Sequence, residues 1–148
     1  MQRNVLRNRD CALQARDFSG LQWGKITPTD IDAFLDFGDR LYVFVECKFK
    51  GASVPYGQYL ALTRLADACH CPPKRVSVAL IVDHAQAAHE DIDYGSSLVR
   101  SYRLNNKWLF PRAPTSTTLA WAIEKLRRYA AARTYTNPLL RETVKAHF

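Results

Sequence analysis

Between Ile31 and Lys48 the chain sets two strand-forming runs back to back and plants acid at their shared end. The first run is Ile31-Asp-Ala-Phe-Leu-Asp-Phe37, and the second is Leu41-Tyr-Val-Phe-Val-Glu-Cys-Lys48. Gly38 and Asp39 lie between them, and such a pair flanked by Phe, Val and Tyr reads as a hairpin turn. An antiparallel hairpin places the start of one strand beside the end of the other, so Asp32 and Glu46 should meet. Side chains alternate along a strand, which puts Asp30 and Asp32 on one face and Glu46 and Lys48 together on one face. Two carboxylates and an ammonium at one hairpin end are costly unless a metal ion offsets them.

The flanking residues sharpen this reading. Thr27-Pro28-Thr29 cannot be helical, because the residue before proline is pushed towards extended geometry, so Asp30 is delivered at a strand entrance. Pro55 suits a helix start. Gln58, Leu62, Leu65 and Cys69 follow at helical spacing, which sets a polar amide at the end of an apolar stripe. That amide needs a partner: it is either a core glutamine bonded to backbone or a group aimed at the carboxylates. Pro72-Pro73 ends the helix. Arg75 to Val82 reads as a strand, and strand–helix–strand makes a crossover whose two strands run parallel. Asp83-His84 then emerges on the same side of the sheet as Glu46 and Lys48. His84 is therefore a candidate supporting or phosphate-contacting group, or else a solvent-facing loop residue.

This spacing resembles the PD-(D/E)xK nuclease superfamily. The resemblance rests on Asp32 at the head of an apolar strand, on Glu46-Cys47-Lys48 as the E-x-K element, and on Gly57-Gln58 opening the next helix. It covers about a quarter of the chain. Here Pro28 and Asp30 are separated by Thr29, so the Pro-Asp pair is not contiguous, and either Asp30 or Asp32 can be the main ligand. The resemblance implies a restriction-endonuclease-like core of order α-β-β-β-α-β, with an extra C-terminal helix on this chain. It implies Asp32, Glu46 and the backbone carbonyl of Cys47 as ligands of Mg²⁺ or Mn²⁺. Asp32, Glu46, Lys48 and Gln58 form the implied catalytic set, with Lys48 acting on the attacking water and Asp30 in support. Hard oxygen donors of this kind suit those ions. Small stand-alone relatives of phage and bacterial type act in junction resolution, repair, restriction and recombination, which implies DNA as the substrate and a homodimer as a possible state.

The formal net charge is +7 over 148 residues. A positive field attracts polyanions, and a basic excess alongside a carboxylate site points to nucleic acid. Lys50, Arg75, Lys125 and Arg128 are candidate phosphate contacts, although Lys125, Arg127 and Arg128 also fit a solvated helix face. One domain spanning 1–148 is expected. No apolar run approaches the ~20 residues needed to cross a bilayer. The N-terminal charges have no apolar segment behind them, so a cytoplasmic protein without membrane contact is expected.

The rest of the chain is read more coarsely. Residues 2–17 look helical, and within them Asp10 or Asp17 could lend an acid to the site. Phe18 to Lys25 reads as a turn or a first edge strand. Leu98 to Leu104 alternates weakly, and Lys107 to Phe110 suggests a short strand. Thr115 to about Arg133 is helical, with Leu119, Ala122, Ile123, Leu126 and Ala130 in one stripe. Cys69-His70-Cys71 would need Cys11, His84 or His89 to complete a zinc site, and ordinary reduced thiols are the simpler expectation. The alternative to a nuclease is a chain that keeps the nuclease fold and binds nucleic acid or a partner without turnover.

Overall fold

A computed structural model describes Ala15 and residues 17–134. Most of the helix expected over residues 2–17, with Cys11 and Asp10, and the tail beyond Thr134 lie outside these residues; Asp17 is described, exposed and not helical, its Oδ1 accepting the Ser19 N–H at 2.9 Å. Five strands form one mixed sheet in the order β1-β2-β3-β4-β5. They are β1 (Ala33–Asp36), β2 (Leu41–Phe49), β3 (Val76–His84), β4 (Leu98–Leu104) and β5 (Lys107–Leu109). Two helices accompany them, α1 (Tyr56–Cys69) and α2 (Leu119–Arg133). The α/β class and the small mixed sheet follow the expectation from the sequence. Among the described residues no helix is long and apolar enough to cross a membrane.

The hairpin forms as its turn chemistry demands. Arg40 N–H donates to the Phe37 carbonyl at 3.3 Å, and the two central residues, Gly38 (φ 63°) and Asp39 (φ 60°), are both left-handed. Positive φ at both central positions is the turn that matches strand twist. Asp39 tolerates it because its carboxylate is held by the Tyr42 hydroxyl at 2.8 Å and by Arg75. The antiparallel register runs from Asp36↔Tyr42 to Ala33↔Val45. A second turn of this kind joins β4 to β5, where Asn105 and Asn106 both carry positive φ.

The crossover is right where the sequence puts it. β2 and β3 pair in parallel along nine positions, from Leu41↔Val76 to Phe49↔His84. Both strands are mostly apolar up to their C-terminal ends because both faces are covered. Leu41, Val43, Val45, Val76, Val78, Leu80 and Val82 pack towards Leu119, Leu126 and Ala130 of α2. The alternate positions Phe44, Ala79 and Ile81 pack towards Leu62 and Ala66 of α1. Thr118 caps α2, its hydroxyl accepting from Trp121 N–H at 3.3 Å.

Of the two readings of Phe18 to Lys25, the turn holds and the edge strand does not. Phe18 to Lys25 adds no strand to the sheet. Trp23 and Ile26 exchange both backbone hydrogen bonds with each other at 3.0 Å across a turn containing Gly24 (φ 62°). Their donors and acceptors are used locally and leave none for an edge. Among the described residues two strands, rather than three, therefore precede α1.

Two consequences for stability follow. Gly38→Val forces a β-branched residue into left-handed backbone, and it should lower the unfolding free energy by about 1–2 kcal/mol, read from the urea midpoint. Asp39 is held below the ordinary carboxylate value of 3.8, first by the Tyr42 hydroxyl and then by Arg75. A depressed folded-state pKa contributes stability that is complete above the unfolded value and is lost as pH falls through the folded one. Wild type should therefore exceed Asp39→Asn in urea midpoint near neutrality, and the difference should vanish under strong acid.

Candidate active site

Alternation carries Glu46 and Lys48 onto the α1 face of β2, one and two steps beyond Phe44. There the strand outruns its apolar cover. Glu46 is only 1% exposed, and an isolated buried carboxylate is costly. Lys48 Nζ answers one oxygen, lying 2.7 Å from Glu46 Oε1. The same ammonium donates to Gln58 Oε1 at 2.9 Å. Gln58 is the third residue of α1, and the tight start of the helix after Pro55 brings it over the strand end. The amide at the end of the apolar stripe thus finds its partner in the site rather than in backbone.

Glu46 Oε2 is buried and has no hydrogen-bond partner among the described residues. The carboxyl's pKa is raised, above all by burial, against the Lys48 hydrogen bond; the Asp32 charge raises it further. Asp32 sits just ahead of β1, exposed, and its Oδ2 accepts the Cys47 N–H at 2.7 Å. Carried one step past Ala33↔Val45, the hairpin register sets Asp32 opposite Glu46. Asp30 is exposed in the same segment, three residues before the strand begins. Strand alternation therefore does not govern its direction.

Cys47 points the other way. Its thiol is half-buried and lies 3.9 Å from the Ser97 hydroxyl, with its pKa raised chiefly by burial. Tyr94, which packs on the same side, is pushed up to about 12 by burial and then by the charges of Asp32, Cys47 and Glu46. Asp83 stands in register with Lys48 and is gripped by Arg100, whose Nε donates to Oδ2 at 3.0 Å. The crossover placed Asp83 at this end of the sheet from sequence without giving it a role, and Arg100 was not singled out. Tyr94 lies in a polar loop that carries no comparable signal.

The other candidates spread out. His84 ends β3 at the same sheet edge but on the opposite face, with its ring 5.6 Å from that of Phe49. Lys50 is exposed beside it, its N–H donating to the His84 carbonyl at 2.8 Å. Arg75 lies at the far end of the sheet, about 25 Å away along β3. There its guanidinium covers the Tyr42 ring at 4.3 Å, holds Asp39 and donates to the Cys69 carbonyl at 2.9 Å. Lys125 and Arg128 are exposed on α2, across the sheet from Glu46. Lys125 stacks on Trp121 at 5.1 Å, and Arg128 Nε lies 3.8 Å from Glu124. His70 Nδ1 accepts the Ser77 N–H at 3.1 Å, and Cys71 Sγ donates to the Cys69 carbonyl at 3.6 Å. Both groups serve local backbone. Among the described residues no three His, Cys, Asp or Glu side chains converge as a metal site.

No protein-family model, curated protein or solved structure matches this chain.

The buried pair has a measurable signature. Lys48→Met leaves the Glu46 carboxylate without its ammonium and should cost about 3 kcal/mol. Lys48→Met combined with Glu46→Gln should recover most of that loss, since both charges are then gone. Urea unfolding of the two single variants and the double variant gives the coupling, and simple additivity would show that the pair does not interact.

Proposed function

We propose that the chain is a metal-dependent nuclease that hydrolyses phosphodiester bonds, with DNA as its substrate, on a restriction-endonuclease-like core. The observation that carries this reading is the buried Glu46 carboxylate. One oxygen is on Lys48, the other has no hydrogen-bond partner among the described residues, and Asp32 is tied to the adjacent backbone N–H. A buried oxygen without a partner suits a ligand that the site is built to hold.

The donors fit Mg²⁺ or Mn²⁺: Asp32, Glu46 and the Cys47 carbonyl would hold the ion, which takes one or two carboxylates and keeps several waters. When bound, the ion supplies charge for the phosphate oxygens and acidifies a water. Lys48, restrained by Glu46 and Gln58, presents its ammonium where a water can be positioned and where negative charge builds up. Gln58 positions Lys48 rather than touching the reacting atoms. The net charge of +7 favours a polyanionic substrate, whose affinity should fall steeply with salt.

The second reading is a nucleic-acid-binding module without turnover, and it is suited by the lack, among the described residues, of three converging His, Cys, Asp or Glu side chains. One set of measurements separates the two. Wild type should cleave DNA in Mn²⁺ and not in chelator. Asp32→Asn, an exposed change with little effect on folding, should lower cleavage roughly a hundredfold or more, since ligation of the ion is worth several kcal/mol. Free Mn²⁺ at a hundred times its Kd should stabilise wild type by about 2.7 kcal/mol, seen as a higher melting temperature that Asp32→Asn and Glu46→Gln lack. DNA binding with no cleavage and no Mn²⁺-dependent shift would establish the second reading. Full cleavage in excess chelator would remove the two-carboxylate mechanism.

A further inference from the structure

β4 pairs irregularly with β3 at the end of the sheet that carries Glu46 and Lys48. The register shifts between Ile81 and Val82, so that Ser101 stands opposite Ile81 and Val99 opposite Val82. Arg100 is the extra residue. A bulge of this kind bends a strand and re-aims a side chain. Asp83 lies two residues past Ile81, which packs on α1, and it stands in register with Lys48. Arg100 reaches this same row: its Nε donates to Asp83 Oδ2 at 3.0 Å, and its Nη2 donates to Asp83 Oδ1. Unbroken alternation from Ser101 would have turned it to the opposite face.

The side-on grip leaves part of the arginine unused. A guanidinium carries five N–H donors in one plane, and Asp83 takes two of them. Nη1 makes no hydrogen bond among the described residues and is reached by solvent, and the side chain as a whole is 28% exposed. A planar fork held in this way meets a phosphate with two parallel bonds. Arg100 and Asp83 line an open pocket of ≈ 500 Å³ at the strand ends, together with Lys50, His84, Gln86 and Ser97. Lys48 is committed to Glu46 and Gln58, so Lys50 and Arg100 are the cations of this end placed to meet a polyanion.

We infer that Lys50 and the outer edge of Arg100 hold a backbone phosphate of DNA flanking the one that is cut, with Asp83 positioning the guanidinium. Neighbouring strands lie about 4.8 Å apart, so β4 stands roughly 10 Å from Lys48 on β2. That is about three steps of 3.4 Å along one DNA strand. The inference rests on the reading of nucleic acid as the substrate, and it adds a contact that sets the register of the strand on the site.

The first measurement is binding of a short DNA duplex in chelator across a salt series, for wild type, Arg100→Gln, Asp83→Asn, Lys50→Ala and Arg103→Gln. Arg103, on the same strand, is gripped in the same way by Asp67, so its variant reports what breaking such a pair does by itself. Arg100→Gln and Lys50→Ala should each weaken binding about tenfold at low salt and flatten the slope of log affinity against log salt by about 0.9, the value of one phosphate. Asp83→Asn removes a negative charge and keeps the arginine, so it should bind at least as tightly as wild type. Arg103→Gln should keep the wild-type slope. A wild-type slope in Arg100→Gln or Lys50→Ala, or a slope flattened equally in Arg103→Gln, would overturn the inference. Equal weakening by Arg100→Gln and Asp83→Asn would also overturn it, since that marks a pair that only braces the sheet. Lys50 is exposed, so its variant decides the matter even where Arg100→Gln loses its fold. Calorimetry with inorganic phosphate should show no binding tighter than about 1 mM; a tighter site that Arg100→Gln loses would belong to free phosphate and overturn the assignment to DNA. The second measurement is cleavage in Mn²⁺. Arg100→Gln should raise KM about tenfold with little change in kcat, the mark of binding lost equally from ground and transition states. A fall in kcat at unchanged KM would overturn the flanking role. Cleavage by a protein whose DNA binding ignores both substitutions overturns the inference while the nuclease reading stands. The expected slope changes, with no cleavage of any DNA, support the phosphate site and overturn the nuclease reading.

Discussion

The cost of taking a carboxylate out of water sets the terms for this structure. Glu46 lies in a strand whose neighbours are fully apolar, and it is as inaccessible as they are. It is tolerable there because β2 extends far enough past α1 to bring Lys48 back onto the same face, and because α1 begins where Gln58 can hold that lysine. Strand length, helix start and turn position are coupled through one ionised side chain. A hydrophobic residue at position 46 would satisfy the packing equally well, so the charge is retained against the interest of the core alone.

Much of this was legible because it rests on short-range rules. Gly38-Asp39 between two strand-forming runs, alternation along β2, and a crossover bounded by Pro55 and Pro72 each follow from local chemistry, and together they place Glu46, Lys48 and Gln58 without a long-range assumption. Asp30 was harder to read, because alternation applies only inside a strand and β1 begins three residues later. Trp23 to Ile26 has the apolar residues of an edge strand, but Gly24 closes a turn that consumes its backbone bonds. His84 was placed at the right edge, and its face follows only from counting parity across both strands. Arg75 shows how far a charge count falls short. In sequence it is one of several basic residues, whereas in the fold it is the clasp of the hairpin turn.

The site and the adjoining pocket lie at the same end of the sheet but draw on different parts of the chain. Glu46, Lys48 and Gln58 come from the hairpin and α1. His84, Gln86 and Ser97 come from the end of β3 and the long polar connection to β4. The two sets meet at the β2–β3 pairing, where Lys48 stands beside Asp83, and where the Ser97 hydroxyl lies against the Cys47 thiol. A regular, doubly covered pair of parallel strands thus gives the reactive groups their precision, while the loop beyond it supplies variety without disturbing that geometry.

The parity of β2 has a consequence for how such a chain can vary over time. Even-numbered positions from Tyr42 to Lys48 face one helix, and odd-numbered positions from Leu41 to Phe49 face the other way. Loss or gain of one residue between the turn and Glu46 would exchange the two sets, turning valines to the place of the carboxylate and driving the carboxylate into the opposite core. Individual side chains along the strand can drift, but its length cannot. Lineages of this protein should therefore accumulate substitutions in β2 and confine insertions and deletions to the segments beyond it.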